Sequence, residues 1–341
     1  MYTDDDLDLA VQQDIFVDAD VKKFRSYMAK IRNVSSADEE NFRLVSGFND
    51  IFVVIASVLL LVSSAWVGRA VHPAFAMFLV AALSWGLAEF FVLKRKMALP
   101  AIVLLLAFSG SIFSGVSELY DLLLPQARPY QEMSSQSYML GALFAALSTW
   151  LHWKRFKVPI TVAIGAGSGI AFFIFTVLSV YPDAIDWVLL LMAISGLVAF
   201  SVAMRWDVAD RSRTTYKSDV AFWLHLLSAP LMIHPVFSVL GVFDGAESML
   251  NTIVVVLLYL VMTSVSVVID RRALMVSSLV YVLYALSALL KTYGMISYSL
   301  AAAGVFIGFA LLMLSGFWHG MRAYLLGALP AGIQSRVPET Q

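Results

Sequence analysis

Apolar residues in this chain run together in blocks separated by short polar or basic connections, with neither the period of two that marks a strand nor a sustained heptad. Ten blocks stand out: about 50–68, 74–92, 98–116, 136–151, 158–180, 185–204, 220–240, 250–268, 273–290 and 296–316. Most approach the roughly 20 residues needed to cross about 30 Å of hydrocarbon as a helix. The fourth is short and is expected to borrow from its flanks. The chain therefore reads as an all-α polytopic bundle of about ten spans: residues 49–316 as the transmembrane domain, 1–48 as a small helical hairpin and 317–341 as an interfacial tail.

The hairpin is read from two amphipathic stretches. "TDDDLDLAVQQDIF" places Leu7, Ala10, Val11 and Phe16 roughly on one helical face, and "DADVKKFRSYMAKIR" does the same with Val21, Phe24, Tyr27 and Met28. A capping-box pattern at Ser36 to Glu39 opens a third helix, and Asn49 and Asp50 fall where the first span begins. In the tail, Trp318, Arg322 and Tyr324 are expected at headgroup level.

Composition agrees with this reading. The chain is 60% hydrophobic and 14% charged, with a mean hydropathy of +0.81, whereas soluble domains carry about 25% charged residues. A net charge of −1 gives no sign of a nucleic-acid partner. With no cysteine, disulfides, thiolate metal sites and thiol nucleophiles are excluded. The acidic start "MYTDDDLDLA" is unlike a secretory signal, so the first apolar run is expected to stay in the protein.

Charge informs by position. Of 23 lysines and arginines, all but Arg69, Arg128 and Lys291 fall in the amino-terminal segment, the tail or alternate connections. The positive-inside rule then places both termini in the cytoplasm. A weak repeat accompanies this bias. "FFVLKRKMALPAIVLLLAFSG" and "TWLHWKRFKVPITVAIGAGSG" share a basic pair, a helix-opening proline and small residues, and "VVIDRRALMVSSLVY" echoes them without the proline. Hairpin duplication and convergence on one topology signal both account for it.

The candidate polar site comprises Glu89, His225, His234 and Pro230. "AFWLHLLSAPLMIHPVF" holds two histidines nine residues apart, hence on opposite faces of an unbroken helix and roughly 13 Å apart along it, which excludes a metal pair. Pro230 is expected to kink or break the helix, as at transporter sites and also within packed bundles. Glu89 lies inside an apolar run near Lys94, either as a proton or cation site or as an interface residue paired to the basic cluster. Asp270 and Asp186 read as interfacial. Gly165 with Gly169, and Gly304 with Gly308, match the small-xxx-small pattern of close helix packing. In the longest basic connection, Arg205, Arg211, Arg213 and Lys217 are candidates for lipid headgroups or a partner.

No HExxH, GxSxG or Walker sequence is present, and nothing in the sequence calls for a cofactor or metal. The acidic start, "NFRLVSGFNDIFVVIA", "KRKMALPAIVLLLAF" and "YKSDVAFWLHLLSAPLMIHP" together resemble a family of uncharacterised multi-pass inner-membrane proteins of proteobacteria. The resemblance implies an inner-membrane location and a cytoplasmic hairpin, and assigns no catalytic residue. Few charges within the spans, beside a separate hairpin able to dock a cytoplasmic protein through residues 1–48, favour a non-enzymatic scaffold, assembly or sensor component. The alternative is a secondary transporter or flippase for a small or amphipathic solute.

Overall fold

The computed structural model describes residues 48–124, 134–240 except 212 and 214, 249–292 and 299–334, with 337 and scattered positions between 11 and 24. The chain divides into two compact units, Met1–Phe42 with Gln341, and Arg43–Thr340. In the first, a helical turn around Asp20 and Val21 is described, closed by amides donating to the Val17 carbonyl. Most of the rest of the expected hairpin lies outside the described residues, as does the capping box at Ser36.

The second unit is helical throughout its described residues. Ten long helices follow in order: α1 Phe48–Arg69, α2 Pro73–Ala88, α3 Ala98–Leu123, α4 Ser135–Phe156, α5 Ile160–Val180, α6 Val188–Val208, α7 Tyr216–Val239, α8 Met249–Ile269, α9 Ala273–Thr292 and α10 Ser299–Gly316. A π-helical turn, Glu89–Lys94, ends α2, and a 3-10 turn, Pro182–Trp187, precedes α6. Two short helices close the chain, α11 Trp318–Gly327 and α12 Ala331–Gln334. Helices therefore fall on the apolar blocks, and α4 does extend into its flanks.

Six helices are long and apolar enough to cross a membrane, or seven if α10 and α11, bent by 72°, form one span, counted over the described residues. That makes the chain an integral membrane protein. Ten spans is a larger number than this test supports; α4, for one, carries His152, Lys154 and Arg155 within its length.

Most successive helices pack against each other, and α1, α3, α5, α7 and α9 also touch in turn, forming a continuous row. Half of the apolar window is buried in α3 and in α7, a third or less in the other four candidate spans. Since lipid tails are as apolar as leucine, burial of large side chains drives little here, and close approach through small residues matters more. Ala76, Ala142, Ala203, Ala221 and Ala229 are fully buried, while Phe52, Ile55, Leu59 and Trp66 of α1 point outward. The tightest crossings use Gly68, Gly141 and Gly196. A Cβ at Gly141 would collide with Ser117 Oγ and the Phe113 carbonyl, and one at Gly196 would lie 2.8 Å from the Met232 backbone.

The four glycines read as packing positions differ among themselves. Gly165 does face Thr149, at 3.2 Å from an added Cβ, but at Gly169, Gly304 and Gly308 a Cβ would meet nothing within 4 Å among the described residues. The helix is not broken at Pro230: α7 is continuous through Pro230 and Pro235. Pro235 has no N–H for the Leu231 carbonyl, and α6 presents Gly196 to that same Leu231–Met232 backbone.

Candidate functional site

The four described connections at the basic end share one device. Those after α2, α4, α6 and α8 each turn through a non-glycine residue in the left-handed region: Lys96 (φ 52°), Lys157 (φ 56°), Arg213 (φ 53°) and Asp270 (φ 58°). Left-handed residues at helix C-termini redirect the chain while closing the last carbonyls, as Arg271 N donating to Ser266 O (2.9 Å) does after α8. Glu89 with Arg155, Trp153 with Tyr216, and Arg213 with Asp270 then join all four connections at one end of the bundle.

In the second half these turns close on each other. Arg213 Nη1 lies 3.0 Å from Asp270 Oδ2 and its Nη2 donates to the Asp270 carbonyl at 2.8 Å. The α11 helix seals the pair: Trp318 Nε1 donates to Asp270 Oδ1 (2.9 Å) and Arg322 stands 3.9 Å from Oδ2. Trp318, Arg322 and Leu326 are the buried face of α11, spaced by four. Only Tyr324 of the three expected headgroup residues is exposed; Trp318 and Arg322 point inward because Asp270 offers them a buried acceptor.

Beneath that seal lies a buried ionic triad. Asp207, at the end of α6, accepts from Arg271 Nη2 through Oδ1 (2.6 Å) and meets His225 Nε2 through Oδ2 (2.8 Å). Side-chain exposure is 1% for Asp207 and Arg271 and zero for His225. Arg271 Nη2 also donates to the carbonyl and hydroxyl of Ser218, each at 3.1 Å. Its backbone is fixed by Ser266, whose hydroxyl donates to the Arg271 carbonyl. Facing a carboxylate, His225 Nε2 is the donor, which in the neutral ring leaves Nδ1 as an acceptor. Nδ1 has no partner among the described residues, and the Phe200 ring meets the imidazole edge-on at 5.3 Å. One carboxylate thus serves two cationic or protonatable groups in a site closed to water.

The candidate polar residues, whose convergence the sequence left open, have separate partners. His225 enters the triad. His234, half-buried, lies within 3.4 Å of Ser238 on its own helix, and Pro230 is exposed. Glu89 makes a bidentate pair with Arg155, at 2.9 and 2.8 Å, on the surface. Among the lipid-contact candidates Arg205 is exposed and Lys217 half-buried. Arg213 is turned inward, and Arg211 donates to the Val337 carbonyl (3.0 Å). Asp207 and Arg271 read in the sequence as connection charges. The legible hint was an acid and a base each within one turn of an apolar block, on either side of "FWLH".

A second buried histidine, His152 of α4, lies in the first half. Trp85, Phe108 and Phe156 surround it with ring centroids 4.4 to 5.9 Å away, and Thr161 Oγ1 is 3.3 Å from Nδ1. Among the described residues Nε2 has no partner, and the contacts within ring distance are aromatic rather than acidic. Among the described residues no group of three or more His, Asp or Glu could hold a metal ion. No family model, curated protein or solved structure matches this chain.

Proposed function

We propose that the chain is a secondary transporter of a bacterial inner membrane, with both termini cytoplasmic, in which Asp207, His225 and Arg271 form a protonation-sensitive lock at the cytoplasmic end. The observation that carries this reading is the single buried carboxylate shared by a histidine and an arginine. Stability does not account for it, because a buried ion pair is often no better than apolar residues of the same volume. Ionisable groups inside a membrane protein characteristically belong to ion paths, relays and gates. A proton on Asp207 removes the charge that holds both partners, and α6, α7 and the α8–α9 connection lose their common tie together.

The reading of the chain as a scaffold leaned on a scarcity of charges within the spans, and the triad weakens that premise. A docking role remains as a second reading, supported by the separate unit Met1–Phe42. Co-purification of a cytoplasmic protein that depends on residues 1–48 would favour it.

The chain has no cysteine, so single cysteines report cleanly. Ala221→Cys places a thiol at a fully buried position one turn before His225. In sealed vesicles a membrane-impermeant thiol reagent is expected to leave it unreacted at neutral pH and to label it from the cytoplasmic side in an Asp207→Asn background. If Asp207→Asn stays folded and the thiol stays closed at every pH, the triad is a packing group and the docking reading takes its place.

A further inference from the structure

The first half carries a cationic surface with little internal use. Lys94, Arg95 and Lys96 after α2, and Lys154 and Arg155 in the last turn of α4 with Lys157 just beyond it, are all exposed. The Glu89–Arg155 bond holds the two sets side by side. Several cations are stationed over rings: Lys154 Nζ lies 3.6 Å from the centre of Trp150, Lys157 5.3 Å from Trp153, and Lys94 and Arg95 5.9 and 5.6 Å from Phe90. Directly behind them α3 and α5 start without a side-chain cap, at Met97 and Pro159. Their first amides add partial positive charge at the same end.

An apolar stripe leads up to these cations. Phe144, Leu147 and Leu151 of α4 are exposed at helical spacing, and Trp150 beside them is 53% exposed. Acyl chains suit such a stripe, an aromatic ring suits the interface, and lysines suit phosphate above it. We infer that the α2–α3 and α4–α5 connections form a binding site for the headgroup of an anionic phospholipid, whose chains lie along α4. The second half differs, because Arg211, Arg213, Arg271 and Arg322 are turned to acceptors within the protein and, of its other described cations, Arg205 is exposed while Lys217 and Arg272 are half-buried. Free phosphate has the same charge but no use for the stripe, which favours the lipid.

The test is native mass spectrometry of the full chain in neutral detergent, titrated with phosphatidylglycerol, phosphatidylcholine or inorganic phosphate. Phosphatidylglycerol is expected to bind in preference to phosphatidylcholine, with about fivefold lost for each cation removed that reaches a phosphate. The variant K94Q/K96Q/K154Q/K157Q reads this loss, and Arg211→Gln serves as an unaffected control. Should the multiple variant not fold, Trp150→Ala with Leu151→Ala keeps every charge and is still expected to weaken lipid binding. Equal binding of both lipids, or an undiminished affinity in the folded variants, overturns the site. Displacement of the lipid by millimolar phosphate assigns the surface to the free anion instead.

Discussion

Each half of the bundle places a carboxylate–arginine pair and a buried histidine near its basic end, and the two halves wire them differently. In the first, Glu89 and Arg155 meet on the surface while His152 sits apart among aromatic rings. In the second, Asp207 binds Arg271 and His225 at once, out of contact with water. The same contrast runs through the turns: Lys96 and Lys157 point outward, whereas Arg213 and Asp270 bind each other under Trp318. An exposed ion pair is screened and contributes little, so the first pair orients a surface. A buried one leaves its partner stranded when broken, so the second can hold a conformation.

The sharpest way to break this contrast is to remove each acid. Asp207→Ala strands Arg271 and His225 and is expected to cost about 3–5 kcal/mol, read as a large drop in melting temperature in detergent, while Glu89→Ala leaves the melt nearly unchanged. Equal effects would mean that the triad is solvated.

Next in size is a pair of matched turn substitutions. Asp270→Gly removes a left-handed penalty of about 1–2 kcal/mol but also the acceptor for Trp318 and Arg213, worth about 3 kcal/mol or more. The net change is destabilising, with faster proteolysis within 318–337 as its signature. Lys157→Gly removes the same penalty and breaks no described hydrogen bond of its side chain, so it should raise the melting temperature. If both substitutions shift stability in the same direction, the two connections are not different in kind.

Packing gives a smaller but cleaner test. Gly196→Ala drives a methyl into the Leu231–Met232 backbone and is expected to cost about 1–3 kcal/mol. Gly308→Ala meets nothing within 4 Å among the described residues and should be neutral or gain up to about 1 kcal/mol of helix propensity. Thermal melts of the two variants side by side decide it, and a reversal of their order would disprove the crossing geometry. Raised ionic strength should have the smallest effect, loosening the Glu89–Arg155 pair while the triad keeps Ala221→Cys unreactive.

The positions of the helices follow from hydropathy alone, because a backbone in hydrocarbon must satisfy its own hydrogen bonds and can do so only as a helix of sufficient length. The grouping of basic connections at one end was equally legible, as was His225 as a residue of interest. Asp207, Arg271 and Asp270 were not, since a charge within a turn of a span end looks the same in sequence whether it faces water or a partner. "FWLH" and "TWLH" are near-identical strings, and one histidine meets an acid while the other meets rings. Likewise Gly-xxx-Gly spacing marked Gly304 and Gly308, whereas the close approaches occur at isolated glycines chosen by helix order.

Local physics, one helix at a time, thus determined which segments leave water and which connections carry charge. Which charges are buried, which histidine has an acid and which glycines touch a neighbour were decided only by the tertiary structure. Those properties depend on the rotation and order of helices, and these are set by side chains far apart in the chain, such as Asp207 and Arg271, meeting across the bundle.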